Sequence, residues 1–112
     1  MKVSVRQRGG VTILDLKGKI TIGVGDVAMR DAVQKELANG ARSLLINLRD
    51  VSTIDSSGVG ELVSAYTTAT NRGAKLKLEN LPPKVADILH ITQLITVFET
   101  FDNEDEAIAS FS

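Results

Sequence analysis

The rhythm of apolar and polar residues changes several times along the chain, and each change marks an element. Val3 to Arg8 reads V-S-V-R-Q-R and Val11 to Lys17 reads V-T-I-L-D-L-K, with Gly9-Gly10 between them. Two such runs joined by paired glycines predict a tight antiparallel hairpin. Gly18 to Gly25 predicts a flexible connection carrying an apolar island. A helix is then expected from an N-cap at Asp26 to about Asn39, with Met29, Ala32, Val33 and Leu37 along one side and Gly40 as its stop. Ser43 to Leu48 is nearly all apolar, as expected of a central strand covered on both faces, and Arg49 to Asp55 reads as the loop leaving it.

Val59, Leu62, Val63, Tyr66 and Thr70 recur at helical spacing and predict a helix with one buried stripe, ended by Asn71 to Gly73. Lys75 to Glu79 alternates as K-L-K-L-E and predicts a half-exposed strand. Leu81-Pro82-Pro83 turns the chain, and Pro83 suits the first position of a short helix reaching about His90. Ile95 to Phe98 is expected as a strand. Asp102 or Asn103 would cap a last helix with Ala107, Ile108 and Phe111 facing inward and Glu104, Asp105 and Glu106 in its first turn. The order β-β-α-β-α-β-α-β-α predicts an α/β fold: one mixed sheet with an N-terminal antiparallel hairpin and crossover helices. The whole chain, residues 1–112, is expected to be a single domain.

Composition narrows the function. Acidic and basic residues number 14 and 13, for a net charge of -1, and no segment has the basic or aromatic character of a nucleic-acid footprint. The chain has no cysteine, which removes disulfides and thiolate chemistry and fits a reducing compartment. The start, MKVSVRQRGG, does not read as a signal peptide, and no apolar run reaches the ~20 residues that span a bilayer. A soluble, cytoplasmic protein without membrane insertion is the expectation.

The chemistry concentrates in IDSSGVG, Ile54 to Gly60, where the buried strand gives way to a helix. Three readings are open. The serines can cap the helix, because its first N–H groups lack partners. One can be a catalytic nucleophile, but the single histidine, His90, is predicted on another helix, and G-x-S-x-G is absent because position 54 is Ile. Or Ser56 can be a modifiable hydroxyl at the positive end of a helix dipole, with Gly58 and Gly60 leaving room for a partner. Asp50, Asp55 and Glu61 give a weak metal pattern, and neither GVG segment is a phosphate loop.

The stretch L-x-x-V-x-x-I-D-S-S-G-V-G from Leu48 to Gly60, together with the hairpin start and YTTATNRGAKLKL, resembles the STAS domain family. The resemblance is greatest to bacterial anti-sigma factor antagonists, and it covers nearly the whole chain. It implies a protein that is not an enzyme and needs no cofactor or metal of its own. It implies phosphorylation at Ser56, with Ser57 as second candidate, by an anti-sigma factor serine kinase of histidine-kinase-like ATPase fold. Magnesium and ATP would belong to that kinase, and a metal-dependent serine phosphatase would reverse the modification. The implied docking surface comprises Asp55, Ser56, Ser57, Gly58, Val59, Gly60 and Glu61 with the loop after the second strand. There the family's usual aspartate is Thr21, so either the partner differs or Asp26 takes over part of that role. The same family also implies an alternative, an interaction subunit of a stressosome-like assembly or of a lipid-transport ATPase.

Overall fold

The hairpin forms where the glycines permit it. In the computed structural model, which describes residues 1–112, β1 (Lys2–Arg8) pairs antiparallel with β2 (Val11–Ile20). Gly9 and Gly10 take φ of 54° and 79°, the left-handed pair that a two-residue turn needs. β3 (Ser43–Ile54), β4 (Lys75–Glu79) and β5 (Thr100–Phe101) extend the sheet in parallel, in the order β1-β2-β3-β4-β5. The parallel connections run through α1 (Gly25–Ala38), α2 (Ser56–Asn71) and α3 (Pro83–Ile91), and α4 (Glu104–Ala109) follows β5.

Strand alternation divides the interior in two. Leu14, Leu16, Leu44, Ile46, Leu48, Leu76 and Leu78 pack with Met29 and Val33 of α1, Leu62 of α2, and Val85 and Leu89 of α3. The intervening residues Val11, Ile13 and Leu45 meet Ala107 of α4, with Phe101, Ile108 and Phe111 around them. Both faces of β2 and β3 are therefore covered, which accounts for the nearly all-apolar run from Leu44 to Leu48 in β3.

Several elements depart from their sequence expectation, each for a long-range reason. β2 and β3 both run past the expected ends. Lys17, Gly18, Lys19 and Ile20 pair with Asp50, Val51, Thr53 and Ile54, so 49–54 is strand instead of loop, with register shifts on either side of the Lys17–Gly18 pair. The N-cap of α1 is Val24, not Asp26, because the helix starts earlier at Gly25. β4 is buried from Leu76 to Glu79 instead of half exposed, because α4 covers its second face. Thr70 lies outside the buried stripe of α2, which runs instead through Val59, Leu62, Ala65 and Ala69. Residues Ile95 to Phe98 form no strand. Gln93 turns the chain at φ 62°, Leu94–Thr96 make one 3-10 turn, and Phe98 packs edge-on against Tyr66 at 5.4 Å. The last strand is the short β5 beyond it.

Gly25 and Gly58 each fill a place that a Cβ cannot. At Gly25 it would run into the Lys19 carbonyl and the Ile20 backbone, and at Gly58 into the Ile20 carbonyl and the Ile54 side chain. Gly60, two residues further along the same helix, faces open space. Gly58→Ala is expected to destabilise by roughly 2–4 kcal/mol through forced backbone displacement. Gly60→Ala is expected to be neutral or to stabilise by up to about 1 kcal/mol through helix propensity. Urea unfolding of the two variants beside the parent checks the contrast.

Candidate functional site

β3 delivers the chain to the carboxyl end of the parallel strands, and the serine turn follows directly. Asp55 is extended, with φ -109° and ψ -175°, and caps α2: its Oδ1 accepts from the Gly58 N–H at 2.9 Å. Its Oδ2 accepts from the Ile22 N–H at 3.0 Å, so one carboxylate ties the helix start to the loop after β2. The Asp55 N–H donates to the Ile20 carbonyl at 3.3 Å, which also ties the cap to the end of β2 through the backbone. The Gly58 N–H first, and then that of Ile22, hold the Asp55 carboxyl below the usual aspartate range.

Because Asp55 is the cap, neither serine is needed for that task. Ser56 and Ser57 are the first two residues of α2, Ser56 exposed and Ser57 half-buried. The Ser56 hydroxyl thus lies at the positive end of a 16-residue helix, open to solvent. His90 is exposed near the end of α3. That crossover helix runs back toward the end of the sheet where the parallel strands start, so no Ser–His pair forms.

The other sequence-predicted positions divide into outward and inward sets. Gly60 is exposed, whereas Gly58 and Val59 are buried against the chain itself, so the absent side chain of Gly58 serves the fold instead of a partner. Glu61 is buried beside α1 and pairs with Arg30 at 3.2 Å. Thr21 is half-buried, and its carbonyl accepts from the Asp26 N–H at 3.2 Å. Asp26 is buried with its carboxylate folded back on the Val27 N–H at 2.7 Å. Asp50, Asp55 and Glu61 do not converge. Asp50 is an exposed strand residue opposite Lys17, while the other two carboxylates are engaged as above.

Comparison with known proteins decides what kind of domain carries this turn. The family model for the STAS domain matches residues 2–107. The chain belongs to the STAS domain family. The anti-sigma-B factor antagonist of Bacillus subtilis (strain 168) is 30% identical over 99 residues, covering 88% of this chain and 89% of that protein. A crystal structure from Thermotoga maritima, described as a candidate anti-sigma factor antagonist, matches with a TM-score of 0.88 at 24% identity, over 96% of this chain and 92% of that one. The phosphorylated form of the Bacillus cell fate determinant SpoIIAA matches with a TM-score of 0.74 at 18% identity, over 99% and 100%. At these identities the two structures show a shared fold. No helix of this STAS domain is long and apolar enough to cross a membrane.

The sequence reading missed the apolar character of the surface beside the serine turn. Ile22 is 73% exposed and Val24 64%, and Val27 on α1 is exposed as well. The apolar island in GKITIGVG was visible in the sequence, but alternation alone could not show which of its members turn outward. In this STAS domain the Asp55 carboxylate fixes that loop, so its removal is expected to act on two segments at once. Asp55→Ala should accelerate amide hydrogen exchange at both Gly58 and Ile22, measured by NMR, while leaving β3 amides protected. The pH dependence has a defined sign. A carboxyl held below its unfolded value contributes stability above the ordinary aspartate range and loses it as pH falls through its folded value. The Gly58 and Ile22 amide resonances should therefore titrate together in acid, below the usual aspartate midpoint.

Proposed function

We propose that this STAS domain is a cytoplasmic, non-catalytic anti-sigma factor antagonist switched by phosphorylation at Ser56. Unmodified, it binds an anti-sigma factor serine kinase of histidine-kinase-like ATPase fold, and sigma factor is released. The kinase transfers the γ-phosphoryl group of ATP to Ser56 Oγ; the serine proton goes to a base on the kinase and ADP departs. A metal-dependent serine phosphatase restores the hydroxyl, with water displacing it from phosphorus and inorganic phosphate leaving.

One observation carries this reading: an exposed Ser56 hydroxyl at a helix start whose capping is already supplied by Asp55. A phosphoryl group there adds about -1.5 to -2 charges at a helix end that tolerates anions, so the domain keeps its fold. The same charge lies beside exposed Ile22 and Gly60, on a surface that a partner would have to desolvate. The apolar loop and the open first turn of α2 thus supply contact area, and the phosphate supplies the veto. The name of the B. subtilis relative supports the antagonist role, and the solved phosphorylated relative supports a modified state of this fold.

Substitutions at Ser56 test the switch. Ser56→Ala is expected to bind the kinase with parent affinity and to resist release by ATP. Ser56→Asp is expected to bind roughly 100-fold more weakly, about 3 kcal/mol, as judged by calorimetry with the partner captured from the native host. Equal affinities for the two variants would end the phospho-switch account. Capture of transporter subunits or a multi-STAS assembly by both would assign the domain to one of those complexes instead. Phosphate found on Ser57 would move the site by one residue.

A further inference from the structure

The sheet face under α4 carries a row of polar side chains beside its small apolar cluster. Ser4, Asp15, Asn47 and Glu79 are register partners across β1, β2, β3 and β4, so they stand side by side on that face. Asp15 is well supplied with donors, Arg6 Nη2 at 2.9 Å and Asn47 Nδ2 at 2.8 Å. Asn47 accepts in turn from the Arg49 N–H at 3.1 Å. Glu79 has none of this. It is 0% exposed, and neither of its carboxyl oxygens receives a hydrogen bond.

An ionised carboxylate without donors is strongly disfavoured in such a place. The group facing it is another carboxyl, that of Glu104, the first residue of α4. Glu104 is ionised, because Arg6 holds it at 2.7 Å and Arg8 grips its other oxygen. A proton kept on Glu79 would supply the missing donor toward the Glu104 carboxylate, as in two carboxyls that share one proton. The charged groups around Glu79 favour this state. Glu104 on α4 and Asp15 on β2 are negative, while Arg6 on β1 is already engaged by both, and the flanking Asn47 on β3 and Phe101 on β5 are neutral. Burial, followed by the hydrogen bond to Glu104, pushes the Glu79 carboxyl up to about 7, while Arg6 holds Glu104 well below the ordinary range.

We propose that the Glu79–Glu104 pair is a proton-operated latch: with its shared proton α4 closes on the sheet, and without it two like charges loosen the helix. Apart from the ion pairs of Arg6 with Glu104 and of Arg8 with Glu104 and Asp105, the attachment of α4 is slight. The helix has six residues, and Ala107 is its only fully buried member. Its C-terminal side hangs on the buried Lys77, whose Nζ donates to the Ser110 carbonyl at 2.9 Å and lies 4.7 Å from the Phe111 ring centre. Opening would uncover the apolar strip of Val11, Ile13 and Leu45.

The sign follows from the raised carboxyl. Its contribution to the closed form is complete below the ordinary glutamate range and is lost as pH climbs through about 7. Asp15 and Glu104, both lowered, act oppositely, and their contribution fades only in acid. Near neutrality Glu79 therefore sets the slope.

Hydrogen exchange of the full chain at pH 6 and pH 8, corrected for intrinsic rates and followed by mass spectrometry, reads the latch directly. Protection of residues 102–112 is expected to fall about tenfold or more on raising the pH, while α2 holds its protection. Glu79→Gln keeps a donor toward Glu104 but cannot titrate, so its α4 protection should not respond to pH. An equal response in parent and variant would overturn the proposal. A carbon-13 titration of the Glu79 carboxyl in the parent decides the matter even if the variant does not fold. A midpoint near neutrality supports the latch, and one in the ordinary glutamate range removes it.

Discussion

Two helices, α1 and α2, begin against the backbone of the same buried strand residue, Ile20, and neither could do so with a side chain in the way. Gly25 and Gly58 supply the two gaps. The close approach brings the β2–α1 loop within reach of Asp55, whose carboxylate then takes an N–H from each side. The position of Ser56 follows from this contact. A bulkier residue at 58 would push α2 off the sheet end and separate the cap from its loop.

The serine turn is held by hydrogen bonds within its own chain. Its polar requirements are met internally by Asp55, so Ser56 has no structural duty that a modification would disrupt. On the proposed switch, a charge added there would change what the surface accepts without rearranging the core behind it. The loop carrying Ile22 and Val24 is held to the same carboxylate, so the exposed apolar residues and the Ser56 hydroxyl are tied through Asp55.

The opposite face of the sheet is built on another principle. Beneath α1, α2 and α3 the contacts are aliphatic, and 21 buried residues form one cluster. Beneath α4 only four buried residues do so, and charged groups supply the remaining attachment. Apolar packing is insensitive to pH, whereas a buried acid pair is not. On the proposed latch, the attachment of the small helix responds to pH near neutrality, whereas the Asp55 cap responds only in acid.

The sequence by itself determined the element order, the hairpin at Gly9-Gly10, the glycine stop after α1, Pro83 at the start of α3 and a cap at Asp102 or Asn103, of which the structure uses Asn103. These are local matters, fixed by turn geometry, capping and the period of the apolar residues. Motif spacing also drew attention to Asp55 and Ser56. Only the tertiary structure decided that β2 and β3 extend each other to Ile20 and Ile54, since strand length there depends on a partner far away in the chain. It alone turned Gly58 and Glu61 inward and Ile22 outward, because burial is set by what packs on a residue and not by the residue's own polarity. Asp15, Asn47 and Glu79 look unrelated in the sequence, 32 residues apart at each step, and become one row only when parallel pairing aligns their strands.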